Sequence, residues 1–528
     1  MLTRVGFGTL LITAALTLTA CATGDGTRAD SAQQPDRLTL AVGGEPDDGF
    51  DPTLGWGRYG SPLFQSTLLQ RGTDLSVSGD LATDWETSAD GLVWTLTLRD
   101  DAVFTDGTPV TAADVAYTFT TASRAGGLTD VTVLDKAVAT DAHTVELHLK
   151  RPQSTFVNRL VGLGIVPEAS HSAGYAQEPV GSGPYEFVSY EPGQQLVVRR
   201  NDDYYGTRPE FETLVFLFTD EDATLAALRS GELDVAGVPS TMAGEDVSGT
   251  RLVAVESLDN RALSLPTLPQ AGRTNAAGGP IGNDVTADVA VRRAINVAVD
   301  RQALVDGVLG GFGSPAYGPV DAAPWFEPST AIEDADPAAA EAMLDAAGWR
   351  EGSEGVREKD GVAAAFTLWY PAGDSLRQNL SLAVADMLRP IGIDVQAKAG
   401  SWEQIERRMH ADPVMFGWGS QDPMEMYNLL ASDQAGVEYN NPGHYANDVV
   451  DGHLADALAA TDPAEATRSW QAAQVESSAA ADAPWAWLVN LEHTYYVDTC
   501  LDLGDPLVEP HGHGWPITAG ITSWTWSC

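Results

Sequence analysis

The chain has 528 residues, 44% of them apolar, with 14 tryptophans. It is too long for one hydrophobic core and too apolar for a disordered chain, so two or three globular domains are expected. With 74 acidic against 30 basic residues the formal net charge is −44, which would repel a phosphate backbone and argues against nucleic-acid binding. The acidity keeps the chain soluble and does not by itself specify a cationic ligand.

The chain opens with an apolar run from Val5 to Ala20 behind a single early charge, Arg4. The run is too short and too rich in small residues for a transmembrane helix and reads as a secretory signal over residues 1–20. It ends Leu18-Thr19-Ala20-Cys21, which resembles the lipobox of bacterial lipoproteins; the resemblance implies that Cys21 is lipidated and becomes the first mature residue. Residues 21–35 are small and polar and cannot bury enough surface to fold, so they are expected to form a flexible tether. No later stretch is long and apolar enough to span a bilayer. The expected location is therefore extracytoplasmic, anchored to the cell membrane through Cys21. The two remaining cysteines, Cys500 and Cys528, suggest a disulfide in that oxidising compartment. Without a Cys-x-x-Cys spacing they are a poor zinc site.

Next come Gly55-Trp56-Gly57-Arg58-Tyr59-Gly60-Ser61-Pro62, expected to follow an opening strand and to precede a helix. Val93 to Leu98 alternates in the manner of a half-buried strand. Asp106-Gly107 signals a turn, and Thr111 with Asp114 resembles a helix cap. Glycines and a proline in Pro179-Val180-Gly181-Ser182-Gly183-Pro184-Tyr185 set an irregular link. Leu225 to Val235 reads as a helix, a stop at Gly231 and a strand. Val291 to Arg301 carries apolar residues at helical spacing. Asp336-Pro337 opens another helix, with Asp336 as cap and Pro337 at its first position, running to Gly348-Trp349. Leu382 to Pro390 continues a helix, and Ile391-Gly392-Ile393-Asp394-Val395 turns into a strand. This alternation predicts an α/β lobe in the second half.

Several of these strings go beyond periodicity. Leu81-Ala82-Thr83-Asp84-Trp85-Glu86, Gly91 to Asp100 and Phe104 to Val115 closely resemble the family 5 extracellular solute-binding proteins, the receptors that feed peptides, nickel complexes and related solutes to ABC importers. Gly181-Ser182-Gly183-Pro184-Tyr185, Arg199-Arg200-Asn201-Asp202-Asp203-Tyr204-Tyr205, Ser230-Gly231-Glu232-Leu233-Asp234 and Arg292-Arg293-Ala294-Ile295-Asn296-Val297-Ala298-Val299-Asp300-Arg301 extend the resemblance along the mature chain. It implies an α/β, two-lobed periplasmic-binding-protein-like fold of type II, in the large peptide-binding subclass, with an extra subdomain in the first lobe. By the same analogy residues 36–60, 175–260 and 490–528 form the hinge side of lobe I, 61–174 the extra subdomain and 261–489 lobe II. The implied partners are a small-molecule or peptide solute and the permease and ATPase subunits of an ABC importer. Membrane contact is expected only through the lipid, with no nucleic acid and no cofactor, and the protein is expected to be a monomer.

The resemblance also points to the cleft. Trp56, Arg58 and Tyr59 lie among glycines in a stretch that faces the ligand in relatives; a structural turn with its aromatics packed inward is the alternative. In Phe416 to Asn428, Trp418, Asp422, Met424, Glu425 and Tyr427 are the candidates. Peptide-binding relatives carry an aspartate just before the Asp-Pro pair for the ligand's ammonium; here Gly419 or Ser420 stands there, and Glu425 or Asp422 is the possible substitute. His511 and His513 share one face of an extended strand and suit a bound metal complex or a loop role. Arg261 suits an anionic group or an interlobe salt bridge. The main expectation is an oligopeptide-class solute, with a nickel chelate as the alternative. An extracellular hydrolase is disfavoured, since Gly181-Ser182-Gly183 is no nucleophile elbow and neither a His-Glu-x-x-His nor a phosphate-loop motif occurs. A sensory lipoprotein on the same fold is a third class.

Overall fold

A computed structural model describes residues 35–60, 63–275, 278–512 and 515–528. Cys21 and His513 lie outside these residues. Among the described residues eleven strands form one mixed sheet, the short strand Gly313–Pro315 pairing beside the main path with Trp485–Asp498. Its centre is a pair of long antiparallel strands, Thr250–Ser264 and Trp485–Asp498. On one side follow Val235–Val238, Arg37–Ala41, Thr213–Leu217, Gln195–Arg200 and Tyr185–Glu191; on the other, Val414–Trp418, Ala365–Pro371 and Asp394–Gly400.

The pairing of the two long strands breaks between Glu256 and Asn260. The core on either side changes at the same place. Val255 packs with Leu40, Tyr185, Phe216 and Trp515, whereas Leu258 packs with Phe416, Met426 and Trp487. Two compact bodies therefore share one sheet, and the strands that cross between them are interrupted at Ser257–Asp259. That is the two-lobed α/β architecture. A further core lies around the four-stranded sheet of Ala82–Thr87, Val93–Leu98, Thr144–Leu149 and Leu134–Ala139 with the helix Ala112–Ala125; it draws on Leu68 through Ile165. This is the extra subdomain of the first lobe.

Local chemistry accounts for most element ends. Asp114 accepts from the N–H and hydroxyl of Thr111 at 2.9 and 2.7 Å, closing the helix start. The helix Pro337–Ala346 begins with Asp336 accepting from the Ala339 N–H, and Glu221–Ser230 ends at Gly231 in the left-handed region. Cys500 and Cys528 are both disulfide-bonded. Two expectations fail. No helix follows Pro62: Leu63 to Leu69 are all buried, leaving no polar face to turn to water, and the segment bends at residues 63–65, with Leu63 at φ +61°, before the strand Leu69–Arg71. The Val291–Arg301 pattern is also not one helix. It stops at Ala298, and Asp300 caps a new helix, Arg301–Gly307, by accepting from the Ala303 N–H. The side chain at Asp300 supplies a better start than an interior position would.

Candidate functional site

Asn260 lies opposite Trp418 where the strand Val414–Trp418 meets the long central strand. The chain then turns through Gly419 and enters the helix Met424–Leu430. Gly419 has φ +147°, and a Cβ there would sit 2.5 Å from the Leu258 carbonyl oxygen. No side chain fits, so a carboxylate cannot be carried at 419. Glu425 comes up from the helix beneath instead: its Oε1 accepts from the N–H groups of Gly419 and Ser420, each at 3.0 Å.

Asp422 starts the same helix by accepting from the Met424 N–H at 2.9 Å. It also meets Arg159 Nη1 at 2.5 Å and Asn158 Nδ2 at 3.0 Å. Arg71 donates to Asn158 and, at 3.1 Å, to the Gln421 carbonyl. These four side chains tie the extra subdomain's side to the 420–430 turn and helix. Behind the clasp lies a cavity of about 620 Å³, walled by Arg58, Tyr59, Arg151, Trp418, Glu425, Tyr427 and Tyr439 among others. Two smaller cavities, of about 180 and 150 Å³, meet it at Tyr59 and Gly60. The large one falls in the range that holds a small solute. The Trp418 ring leans on Phe416 and Trp485, with centroids 5.8 and 6.3 Å away. Among the described residues its buried indole N–H has no hydrogen-bond acceptor, a costly arrangement that a bound acceptor would relieve.

Glu425 is 8% exposed. Burial pushes its carboxyl up to about 7; the two backbone N–H groups pull the other way, and the nearby charges of Asp259 and Asp422 add to the rise. It therefore holds a proton for much of the time near neutral pH.

Beside the cavity, at the break in the central strands, lies a knot of charge. Asp259 accepts from Arg261 Nη1 at 2.5 Å and pairs with His511 Nδ1 at 2.6 Å and His493 Nε2 at 3.1 Å. His493 Nδ1 sits 2.5 Å from Glu509, which also accepts from the Tyr495 hydroxyl at 2.7 Å. Arg377 pairs with Asp374 at the start of the helix Ser375–Leu388. A Cβ on Gly417 would lie 2.5 Å from Arg261 Nη1 and 2.6 Å from Arg377 Nη2, so both guanidinium groups press on that backbone. Burial works against charge on His493, but its two carboxylate partners outweigh it and push the ring up to about 9. Burial also opposes charge on Asp259, yet Arg261, His511 and His493 hold its carboxyl well below the usual range. His511 goes the other way: burial, with Arg261 and Arg377 nearby, lowers it despite Asp259.

The sequence-derived candidates divide accordingly. Arg58, Tyr59, Trp418, Asp422, Met424, Glu425 and Tyr427 all border the large cavity. Trp56 is 5% exposed and packs edge-on to Phe50 and Trp515, each at 5.1 Å, while also bordering the cavity of about 180 Å³. Arg261 and His511 belong to the knot. Arg71, Asn158 and Arg159 were missed, since nothing in their local sequence marks them. Asp259 had a readable signal: it stands two residues before Arg261 on a strand, hence on the same face.

Among the described residues, no group of three or more His, Cys, Asp or Glu is arranged to hold a metal, and no helix is long and apolar enough to cross a membrane. Two lobes sharing crossing strands, with an aromatic and charged cavity beside the crossing, define a cleft receptor for a small solute. Comparison makes this specific. Residues 76–438 match the bacterial extracellular solute-binding proteins, family 5 (Middle), and the chain belongs to that extracytoplasmic family. It is 37% identical over 498 residues to Protein XP55 of Streptomyces lividans, covering 90% of this chain and 88% of that one. It is 30% identical over 479 residues to the probable D,D-dipeptide-binding periplasmic protein DdpA of Escherichia coli, covering 84% and 87%. Among solved structures it superposes on NikZ of Campylobacter jejuni in complex with Ni(L-His), with TM-score 0.82, 23% identity and coverage of 93% and 100%. It also superposes on AppA of Bacillus subtilis in complex with a nonapeptide, with TM-score 0.75, 23% identity and coverage of 94% and 100%.

Proposed function

We propose that the protein is a lipid-anchored receptor that captures an oligopeptide-class solute between its lobes and delivers it to the permease of an ABC importer. The observation that carries this reading is the cavity of about 620 Å³ bordered by Trp418, Tyr427, Arg58 and Glu425, in a family member that is 30% identical to a D,D-dipeptide-binding relative. The solute docks against Trp418, Asp422, Met424, Glu425 and Tyr427 on one side and Arg58 and Tyr59 on the other. Closure excludes water and strengthens each polar contact. The closed form is what the permease reads. Trp56, Arg261 and His511 support the walls from behind, and the reading leaves His513 to the loop beside them.

The lobes are divided as the family pattern implies: 36–60, 175–260 and 490–528 for the hinge side of lobe I, 61–174 for its extra subdomain and 261–489 for lobe II. The separate cores around Leu96, Phe216 and Leu368 support this division. Anchoring rests on the Leu18-Thr19-Ala20-Cys21 string. It predicts membrane-fraction protein with a lipid-bearing N-terminal peptide, converted to released protein by Cys21→Ala.

The test is native mass spectrometry of the mature protein purified gently from its own host grown in rich medium. An added mass of a few hundred daltons that fragments as peptide supports the reading. An added mass with a nickel isotope pattern would replace it by chelate uptake, the reading favoured by the likeness to the Ni(L-His)-bound NikZ fold.

A further inference from the structure

Three cavities meet at the 55–60 loop, the large one of about 620 Å³ and the two of about 180 and 150 Å³. Among the described residues only Tyr59 and Gly60 border all three, and Gly60 carries no side chain. The phenol ring is therefore the side chain at that junction. The backbone explains its place. The Gly60 N–H donates to the Gly57 carbonyl at 2.8 Å, which puts Arg58 and Tyr59 at the two corners of a tight turn. Gly57 and Gly60 have φ of +73° and +80°, a backbone that glycine adopts without strain. The turn is pressed against the extra subdomain. A Cβ at Gly162 would lie 2.5 Å from the Arg58 carbonyl oxygen, and one at Gly60 would lie 3.2 Å from Val161 Cγ1. So close an approach leaves the loop little room to retreat. Arg58 steadies the ring, its guanidinium 4.8 Å from the ring centre and its Nη2 3.3 Å from the hydroxyl.

The boundaries differ on the two sides. Between the large cavity and the one of about 150 Å³, Arg71 and Gln421 also border both, joined by the 3.1 Å bond from the guanidinium to the carbonyl. Toward the cavity of about 180 Å³ the shared side chains are Tyr59, the Arg58 that leans on it, and Leu128. Leu128 is 56% exposed and so belongs to the outer rim. On the side that leads to Trp56, the Tyr59 ring is the inner wall.

We propose that Tyr59 is the end wall of the solute site: it confines the solute to the large cavity and so sets the longest solute that the closed lobes enclose. This rests on the large cavity being the solute site, and adds to it a length limit and the residue that imposes it. A solute longer than the cavity must push the ring aside, which the packed backbone resists, or leave one end outside the closed cleft. Each further residue of an extended peptide needs up to about 3.5 Å of run, so the position of one wall is felt as a step in length. Removing the ring joins the cavity of about 180 Å³ to the large one and moves the limit outward, toward Trp56.

The experiment uses the mature chain and an equimolar series of di- to octapeptides with uncharged side chains. Retention is read by native mass spectrometry and affinity by calorimetry. Wild type should bind the tripeptide at least about tenfold more tightly than the octapeptide. Tyr59→Ala should lengthen the longest retained peptide by at least one residue. Tyr59→Phe keeps the ring and should keep the wild-type limit, with Tyr59→Leu falling between. Equal affinity of wild type for tripeptide and octapeptide overturns the proposal. So does a Tyr59→Ala variant that melts like wild type and either keeps its limit or loses all lengths alike, because a residue that merely touches the solute changes affinity and not length. Where Tyr59→Ala does not fold, Tyr59→Leu decides by the same readings. If wild type retains no peptide of any length, the oligopeptide reading falls, and a crystal structure of Tyr59→Ala decides on the wall. One continuous space from Trp418 to Trp56 upholds it; neighbouring side chains that move in and keep the cavities apart overturn it.

Discussion

The knot around Asp259 and the cavity wall around Glu425 are adjacent and similarly rich in charge, yet they are built on opposite rules. In the knot, one carboxylate meets Arg261, His493 and His511, and every ion has an opposite neighbour. Along the cavity wall, among the described residues, Glu425 makes no ion pair and the Trp418 indole N–H has no hydrogen-bond acceptor. Burying charge costs several kcal/mol per ion unless it is paired, so a cluster in which each charge faces an opposite one marks a place that holds the fold, even though Arg261 Nε, Arg377 Nε and Glu509 Oε1 have no hydrogen-bond partner among the described residues. An incomplete one that borders a cavity marks a place left for a visitor. Residue type alone does not separate the two, because arginines, histidines and carboxylates occur in both.

The comparison is broken most severely at Asp259. Asp259→Ala leaves Arg261 buried without its carboxylate and removes one of the two carboxylates on His493, Glu509 remaining, and should cost about 3–5 kcal/mol in denaturant unfolding; a loss under about 1 kcal/mol would put the knot in the same class as the cavity wall. Next comes Trp418→Ala. Solute affinity should fall more than about tenfold in calorimetry while the unfolding midpoint stays near wild type, since the ring is only half-buried. Unchanged affinity would remove Trp418 from the site.

A pH titration sharpens the contrast. The folded state raises His493 from an ordinary value of 6.5 to about 9. Its contribution to stability is therefore fully present below about pH 6.5 and lost as pH rises through about 9. Thermal unfolding should show that loss in wild type and a flatter profile in His493→Gln. Glu425 is raised as well, but as an acid. Its contribution is therefore fully present below about pH 4.5 and lost as pH rises through about 7, and Glu425→Gln should flatten that part of the profile. The smallest effect is expected at Arg151, which borders the cavity but is exposed: Arg151→Ala should change stability by less than about 0.5 kcal/mol, checked by the same denaturant series.

Much of the architecture was legible because it is written in local strings. Asp336-Pro337 and Thr111 with Asp114 specify helix starts through their own side chains, and the residues from Leu81 to Val115 carry the family pattern. The cavity-lining residues of the 416–428 segment were legible for the same reason, since they are contiguous: Trp418, Asp422, Met424, Glu425 and Tyr427 border one cavity. The clasp was not. Arg71 and Asn158 meet Gln421 and Asp422 only after folding brings together positions hundreds of residues apart, and no periodicity records such a meeting. The missing helix after Pro62 has a different cause. An unbroken run of buried residues from Leu63 to Leu69 fits an extended core segment and a buried helix equally well until its surroundings are known.

The turn at Gly419 constrains how this receptor can change. With positive φ and a carbonyl oxygen already 2.5 Å from where a Cβ would stand, nearly every single-codon replacement there damages the backbone before it can alter what is bound. Descendants of this chain that acquire new diets must do so at neighbouring codons, with Ser420 and Glu425 the accessible ones. A library that randomises those two positions and leaves 419 fixed will therefore yield more folded variants with altered taste than one that includes it.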